Sequence, residues 1–484
     1  MISTRSKLFS RTRAAALVGA VLAGLGGCAA VGPDYAPPAG SVPVAWHTEL
    51  REGLAAEALA PELLARWWTT FNDPLLADLI EQAVNNNLDL RQATARVREA
   101  RGRRGISRAG QFPVVDASGS AGTSKSSGNA ESRDFFSLGF DAGWEIDLFG
   151  GVHRSVEAAE AELAASKEDL RDVLVSLTAE VALNYLDTRT LQARLTVAEA
   201  NLEIQQQTYE LIELRSRAGL SDELALQQAR ANLENTRAQI PALRGSLEEV
   251  KNGLAVLTGR APGGVHELLA EIRPLPVLPP TVAAGIPAET LRQRPDIRRA
   301  ERSLAAQTAR IGVAAADLYP KLRLAGSIGL ESLKASDLLN SASETWSIGP
   351  SVSWNIFDAG AIRQNIEVQS ALQEQALLAY EAAVLGGLRE VENGLSAYVE
   401  EQLRRQRLLA AADAARQAES LAENQYQAGL VDFTTVLDAQ RSLLSLEDQL
   451  SISDGAVTAN LVRLYKALGG GWEGIADFGS RIAD

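Results

Sequence analysis

The chain has 484 residues, enough for two or three domains of ordinary size, with 61 acidic against 47 basic residues and a formal net charge of −14. Such an acidic balance argues against nucleic acid as a partner. One cysteine and three scattered histidines, His47, His153 and His266, give no metal-ligand spacing and no paired nucleophile and base. An enzyme is therefore the weakest class, with no catalytic or metal residues expected.

Residues 1–27 read as a signal peptide. Arg5, Lys7, Arg11 and Arg13 precede an apolar run, Ala14 to Gly27, that is too short to span a bilayer. Its removal takes away four bases and no acids, so the mature chain is more acidic still. Leu25-Gly26-Gly27-Cys28 resembles a bacterial lipoprotein box, in which small residues admit a peptidase and the thiol is lipidated. That resemblance makes a covalent lipid at Cys28 the one expected cofactor and residues 28–74 a lipid-anchored segment. Ala29 stands where an aspartate would retain a lipoprotein at the inner membrane, which implies the outer membrane. No later apolar stretch has the length of a membrane helix, so further membrane contact falls to strands.

Residues 75–261 form a first repeat: a helix, strands at 113–125 and 135–148, a long helix at 152–217 and a returning helix at 222–258. The second strand alternates strictly, with Phe136, Leu138, Phe140, Ala142, Trp144, Ile146 and Leu148 opposite Ser137, Gly139, Asp141, Gly143, Glu145 and Asp147. Two lines of heptads, one through Leu163, Leu177 and Leu191 and the other through Leu174, Val181 and Leu195, run along a proline-free stretch and predict a coiled coil. About sixty residues at 1.5 Å each give a helix roughly 95 Å long. The returning helix repeats Leu226, Leu233, Ile240, Leu247 and Leu254 every seven residues, with Pro241 as an expected kink.

After a linker at 262–286 the pattern recurs over 287–468: a helix, strands at 321–331 and 345–357, a long helix at 360–427 and a helix at 432–468. Asn87-Leu88-Asp89-Leu90 returns 207 residues later as Arg294-Pro295-Asp296-Ile297, and Ala218-Gly219-Leu220 returns 210 later as Ala428-Gly429-Leu430. Two long copies mean internal duplication rather than a solenoid of short repeats. Gly469-Gly470-Gly471 opens a tail, 469–484; without a following Lys-Ser/Thr it reads as a helix stop rather than a phosphate loop.

Alternation alone also suits a soluble sheet with one wet face, but a lipid anchor favours the membrane. Four strands leave open edges and cannot enclose a lumen, whereas a membrane barrel needs at least eight strands and no edge. Three chains supply twelve, with apolar faces toward lipid and Gly, Ser and acidic faces toward water. The expectation is a mixed α and β membrane protein: a trimeric twelve-stranded β-barrel continued by a coiled-coil α-barrel.

Val31-Gly32-Pro33-Asp34-Tyr35, Trp67-Trp68, Phe71, Asp73-Pro74-Leu75 and Asn87-Leu88-Asp89-Leu90 with Ala95-Arg96-Val97 resemble signatures of the TolC-like outer membrane efflux family, specifically the lipoproteins paired with resistance-nodulation-division pumps. The likeness extends from Leu25 to about Gly470. It implies a homotrimer in the outer membrane, its helical part in the periplasm, joined through a membrane-fusion adaptor to an inner-membrane pump and passing small toxic compounds outward. It assigns adaptor docking to the helix-to-helix turns, Gly219, Leu220 and Ser221 in one copy and Gly429, Leu430 and Val431 in the other. The resemblance also places a periplasmic gate at Asp438, Thr434 and Tyr426. Here Thr435 replaces an acid of that pattern and Ala225 replaces the acidic partner of the tyrosine, so the latch must differ in detail. A type I protein-secretion duct and a pore-less coiled-coil scaffold are the alternatives.

Overall fold

The structure is a computed structural model that describes residues 30–38, 43–57, 60–125, 131–279 and 281–472. The expected signal peptide and Cys28 lie outside the described residues. In chain order the elements are β1 (Leu54–Ala55), α1 (Pro61–Ala65), a 3-10 turn (Trp67–Phe71), α2 (Pro74–Asn86), α3 (Leu88–Ala109), β2 (Val114–Ser124), β3 (Arg133–Ile146), α4 (Gly151–Arg217), α5 (Glu223–Leu257), β4 (Val282–Ala283), α6 (Pro287–Gln293), α7 (Pro295–Ala316), β5 (Lys321–Ser332), β6 (Glu344–Ser353), α8 (Ala361–Gln427) and α9 (Phe433–Ala467). Lengths recur between the halves: α4 and α8 have 67 residues each, α5 and α9 have 35, and α3 and α7 have 22.

The chain divides into two compact units. The first comprises Met1–Ala39, Arg96–Lys167 and Arg299–Glu381. Its centre is one antiparallel sheet in the order β2-β3-β5-β6. The register sets Phe140 beside Ile328 and Ile328 beside Trp346, so the apolar residues of all four strands share one face. In the same unit Arg154, almost wholly buried, donates to the carbonyls of Ala30, Val31 and Gly32 and to Asp34 Oδ1 at 2.6 Å. The Val31-to-Tyr35 segment is thus held by a guanidinium and by Tyr35, whose hydroxyl donates to Glu301 at 3.1 Å. Gly32 has φ +92°, and a Cβ there would lie 2.4 Å from Gly312 Cα, so only glycine lets the segment lie this close.

The second unit comprises Gly40–Ala95, Glu168–Arg298 and Ala382–Asp484. Its core joins Trp67, which stacks on Tyr465 at 5.6 Å, with Leu76, Tyr185, Leu254, Leu395 and Leu461. Asp73 caps α2 by accepting from Leu75 N and Leu76 N, and it also takes the Tyr185 hydroxyl at 2.5 Å. The heptad positions Leu177, Val181, Leu191, Leu195, Leu233, Leu247, Val457 and Leu464 are buried, as a coiled-coil seam requires. Gly455 allows α9 to approach α4 closely, since a Cβ there would lie 2.1 Å from Thr190 Oγ1.

Several expectations need correction. The strand expected at 345–357 ends at Ser353, because its partner β5 begins at Lys321, after Pro320, and leaves Trp354 to Phe357 no ladder to join. The strand expected at 135–148 runs instead over Arg133–Ile146, its last pair being Ile146 with Leu322, and the chain turns there as Leu148 N donates to Ile146 O. Each repeat opens with two helices rather than one. The breaks fall at Asn87 and Arg294, the positions matched 207 residues apart; Pro295 forces Arg294 out of the helical region, and the Asn87 side chain caps α3 through Asp89 N and Leu90 N. Both breaks do one job: Asn87 Nδ2 donates to Leu257 O at 3.0 Å, and Arg294 Nη1 donates to Ala467 O at 2.8 Å. The linker and the N-terminal segment pair as a short parallel ladder, Leu54 with Val282 and Ala55 with Ala283. Gly471 N donates to Leu64 O, and Trp472 is buried with the guanidinium of Arg171 4.5 Å from its ring centroid. Helix α5 continues through Pro241.

Candidate functional site

The site has two parts, one in each unit, and each is built from its own residues. In the first unit the sheet presents one face of Phe136, Leu138, Phe140, Leu322, Ile328 and Trp346. Ile328 is 66% and Trp346 77% exposed, so the described residues leave this apolar surface uncovered. The opposite face is polar, with cross-strand bonds from Ser118 Oγ to Asp141 at 3.1 Å and between the hydroxyls of Ser120 and Ser137 at 2.7 Å. Among the described residues the backbone edges of β2 and β6 have no strand beside them. Among the described residues no helix is long and apolar enough to cross a membrane. Trp144 and Trp354, at equivalent strand ends, donate their indole N–H to the carbonyls of Gln111 and Leu318, each at 3.0 Å. Placement of amphipathic rings at the limits of an apolar band is what an interface with water favours.

In the second unit the two turns are near copies. Gly219 has φ +72° and Gly429 φ +73°, and nothing lies within 4 Å of a Cβ built on either, so the left-handed backbone alone selects glycine. Leu220 N donates to Arg215 O and Gly219 N to Ser216 O; Leu430 N to Gln425 O and Gly429 N to Tyr426 O repeat the pattern, a Schellman stop in both halves. Leu220 and Leu430 are 77% and 74% exposed at the apex, beside half-buried Ser221 and Val431. Each returning helix starts at an aspartate. Asp222 accepts from Ala225 N at 2.8 Å, and Thr435 N donates to Asp432 O at 3.1 Å.

Of the three expected gate residues, Tyr426 is half-buried, its ring against Phe433 at 5.5 Å, with the Arg215 guanidinium 4.9 Å from its centroid. Ala225 belongs to the same apolar cluster, so packing and a cation–π contact stand where the family pattern has an acid beside the tyrosine. Arg215 gave no signal in the sequence beyond a basic residue in the last helical turn. Asp438 is exposed, 3.8 Å from Arg441 Nη1, while Thr434 and Thr435 face solvent. Tyr426, Thr434 and Asp438 flank the Gly429 turn, and of the three Tyr426 packs on the apolar cluster that holds Ile212, Ala225 and Phe433.

Glu419, on α8, was missed. Burial pushes its carboxyl above the ordinary range, and Glu423 and Glu447 add repulsion, against a hydrogen bond from Gln440. A carboxyl raised in the folded state adds stability that is fully present below its unfolded value and lost as pH rises through the raised value. Packing at this level therefore tightens on acidification toward pH 4.5, and Glu419→Gln removes that slope. Hydrogen exchange of α8 amides across this pH window checks it; protection independent of pH in the wild type counts against it.

Among the described residues the sheet leaves an apolar face and two edges exposed, and glycine turns close two pairs of 67- and 35-residue helices. The model of the family described as outer membrane efflux protein matches residues 79–260 and 286–470. The chain is 33% identical over 453 residues to the cation efflux system protein CusC of Escherichia coli O6:H1, covering 93% of this chain and 97% of that one. It is 34% identical over 458 residues to the toluene efflux pump outer membrane protein TtgI of Pseudomonas putida, covering 93% and 96%. The solved outer-membrane channel OprN superposes with a TM-score of 0.85 at 37% identity, covering 91% of this chain and 99% of that one. This chain belongs to the outer membrane efflux protein family.

Proposed function

We infer that the protein is the exit duct of a tripartite efflux pump, conducting small toxic compounds passively from a periplasmic adaptor and inner-membrane pump to the exterior. The observation that supports this most is the four-stranded sheet whose apolar face and two edges the chain leaves uncovered. Edges of that kind are satisfied when three copies close a twelve-stranded barrel, polar faces inward. A lipid on Cys28 would hold the same end of the chain to the outer membrane, and the turns at Gly219 and Gly429 would meet the adaptor. Relatives named for cations and for toluene both match over nearly their whole length, so the shared architecture serves chemically unlike cargo. Electrostatics of the lumen then set preference without catalysis.

The purified full-length protein, reconstituted in planar bilayers, is expected to show discrete trimer-sized conductances, and deletion of its gene to raise susceptibility to solvents or cationic toxicants. A detergent-solubilised monomer without conductance would overturn the reading. Unchanged toxicant susceptibility with lost secretion of a protein would favour the type I export alternative. For the gate, Asp438→Ala is expected to raise single-channel conductance by on the order of twofold and to weaken block by divalent cations, because the ring of three symmetry-related carboxylates that narrows the constriction and holds a divalent cation is gone. Identical current and block in the variant would remove Asp438 from the gate.

A further inference from the structure

In the second unit two separate apolar clusters lie along α4 and α5, and α8 and α9 contribute to the one at the turns. One lies at the turn end and includes Ile212, Ala229, Ala422, Phe433 and Leu437; the other includes Leu191, Leu195, Ala198, Ile240 and Leu247. Between them the seam turns polar: Gln205, Asn232, Thr236 and Gln440 are each no more than 5% exposed. Gln205 occupies the heptad line that runs Leu191, Ala198, Gln205, Ile212, where an apolar residue is the norm. Both polar atoms of its side chain, together with Asn232 Nδ2 and Gln440 Oε1, have no hydrogen-bond partner among the described residues. Two of the layer's bonds run from one hairpin to the other: Gln440 Nε2 donates to Thr208 Oγ1 at 3.1 Å, and Arg441 Nε to Asn232 Oδ1 at 3.0 Å.

An unpaired buried amide group costs about 1–3 kcal/mol, a penalty that disappears once water reaches it. The apolar cluster at the turns favours joined hairpins, while the layer above it gains hydration when they part. We propose that the layer of Gln205, Asn232 and Gln440 is the pivot at which the α8–α9 hairpin separates from the α4–α5 hairpin when the periplasmic end of the duct opens. The bonds to Thr208 and Asn232 are the ones that break. This rests on the exit-duct reading.

The test uses the full-length trimer in planar bilayers. Cysteines at Thr208 and Gln440, joined by a short bis-methanethiosulfonate reagent, are expected to lower conductance roughly tenfold, restored by reductant. A control pair at Arg194 and Asp448, whose side chains meet at 2.7 Å beyond the layer, is expected to leave conductance unchanged on crosslinking. Equal loss from both pairs, or loss from neither, overturns the pivot. Should cysteine at the layer impair assembly, Gln205→Leu with Asn232→Leu gives a second reading: a higher melting temperature together with about threefold lower conductance, since the closed form no longer buries unpaired amides. A raised melting temperature with unaltered conductance makes the layer a packing fault only and overturns the proposal. Absence of current from the wild-type trimer would instead refute the exit-duct reading.

Discussion

Arg294→Ala is expected to destabilise the folded chain by about 1–3 kcal/mol, the cost of leaving a buried acceptor without its donor, since the carboxylates that remain are partly solvated. Arg294 is 6% exposed. Its guanidinium meets both oxygens of Asp296 at 3.0 and 2.7 Å, Glu390 at 2.6 Å and the carbonyl of Ala467 at 2.8 Å. Truncation leaves a helix-end carbonyl and two carboxylates without their shared donor. Arg294→Lys keeps the charge but offers a single ammonium where a planar fork serves three acceptors, so it is expected to recover only part of the loss. Thermal melting followed by circular dichroism in detergent checks both variants. A melting temperature for Arg294→Ala equal to the wild type would show that this network adds nothing to stability.

Ile328→Arg is expected to abolish assembly in the membrane. Ile328 sits at the middle of β5, between Phe140 and Trp346, on the face that the chain leaves exposed. An arginine at the midplane of a membrane barrel costs about 2–4 kcal/mol per chain, and a trimer repeats it three times. Ser327→Arg, one residue away and on the polar face beside Ser347, is the matched control and is expected to assemble and to alter ion selectivity instead. Heat-sensitive trimer migration of outer-membrane fractions reads both. If Ile328→Arg assembles as well as Ser327→Arg, the apolar face does not meet lipid.

The contrast between neighbouring residues 327 and 328 also shows why strands were legible in the sequence. Period-two alternation over β3 is a property of side chains alone, and so the apolar face could be read before any partner was known. Ends were less legible, because a strand stops where its neighbour stops: Trp354 and Ile356 continue the alternation of β6 beyond Ser353 although β5 has no residue left to pair. Heptads gave the long helices for the same reason that alternation gave β3. The breaks at Asn87 and Arg294 could have been found from Pro295 and from an asparagine at a capping position, signals outweighed by an apolar pattern that continues across them.

At the turns, glycine and the exposed leucines were readable as local geometry, whereas Arg215 over Tyr426 depends on which helices lie side by side. The polar layer was visible as Gln205 interrupting a heptad line, but a single glutamine carries no information about its neighbours. Its meaning comes from Asn232 and Gln440, which arrive from other helices.

The helix breaks bear on what the two halves have in common. Asn87 and Arg294 share nothing chemically except an N–H to give, yet each reaches the terminal carbonyl of the helix that returns beside it. What the halves hold in common is therefore an acceptor fixed in the backbone, a socket that a short amide or a long guanidinium can fill. Sequence drift at such a point is constrained by reach and donor capacity and leaves charge free, so conservative replacement tables would misjudge which exchanges these two positions tolerate.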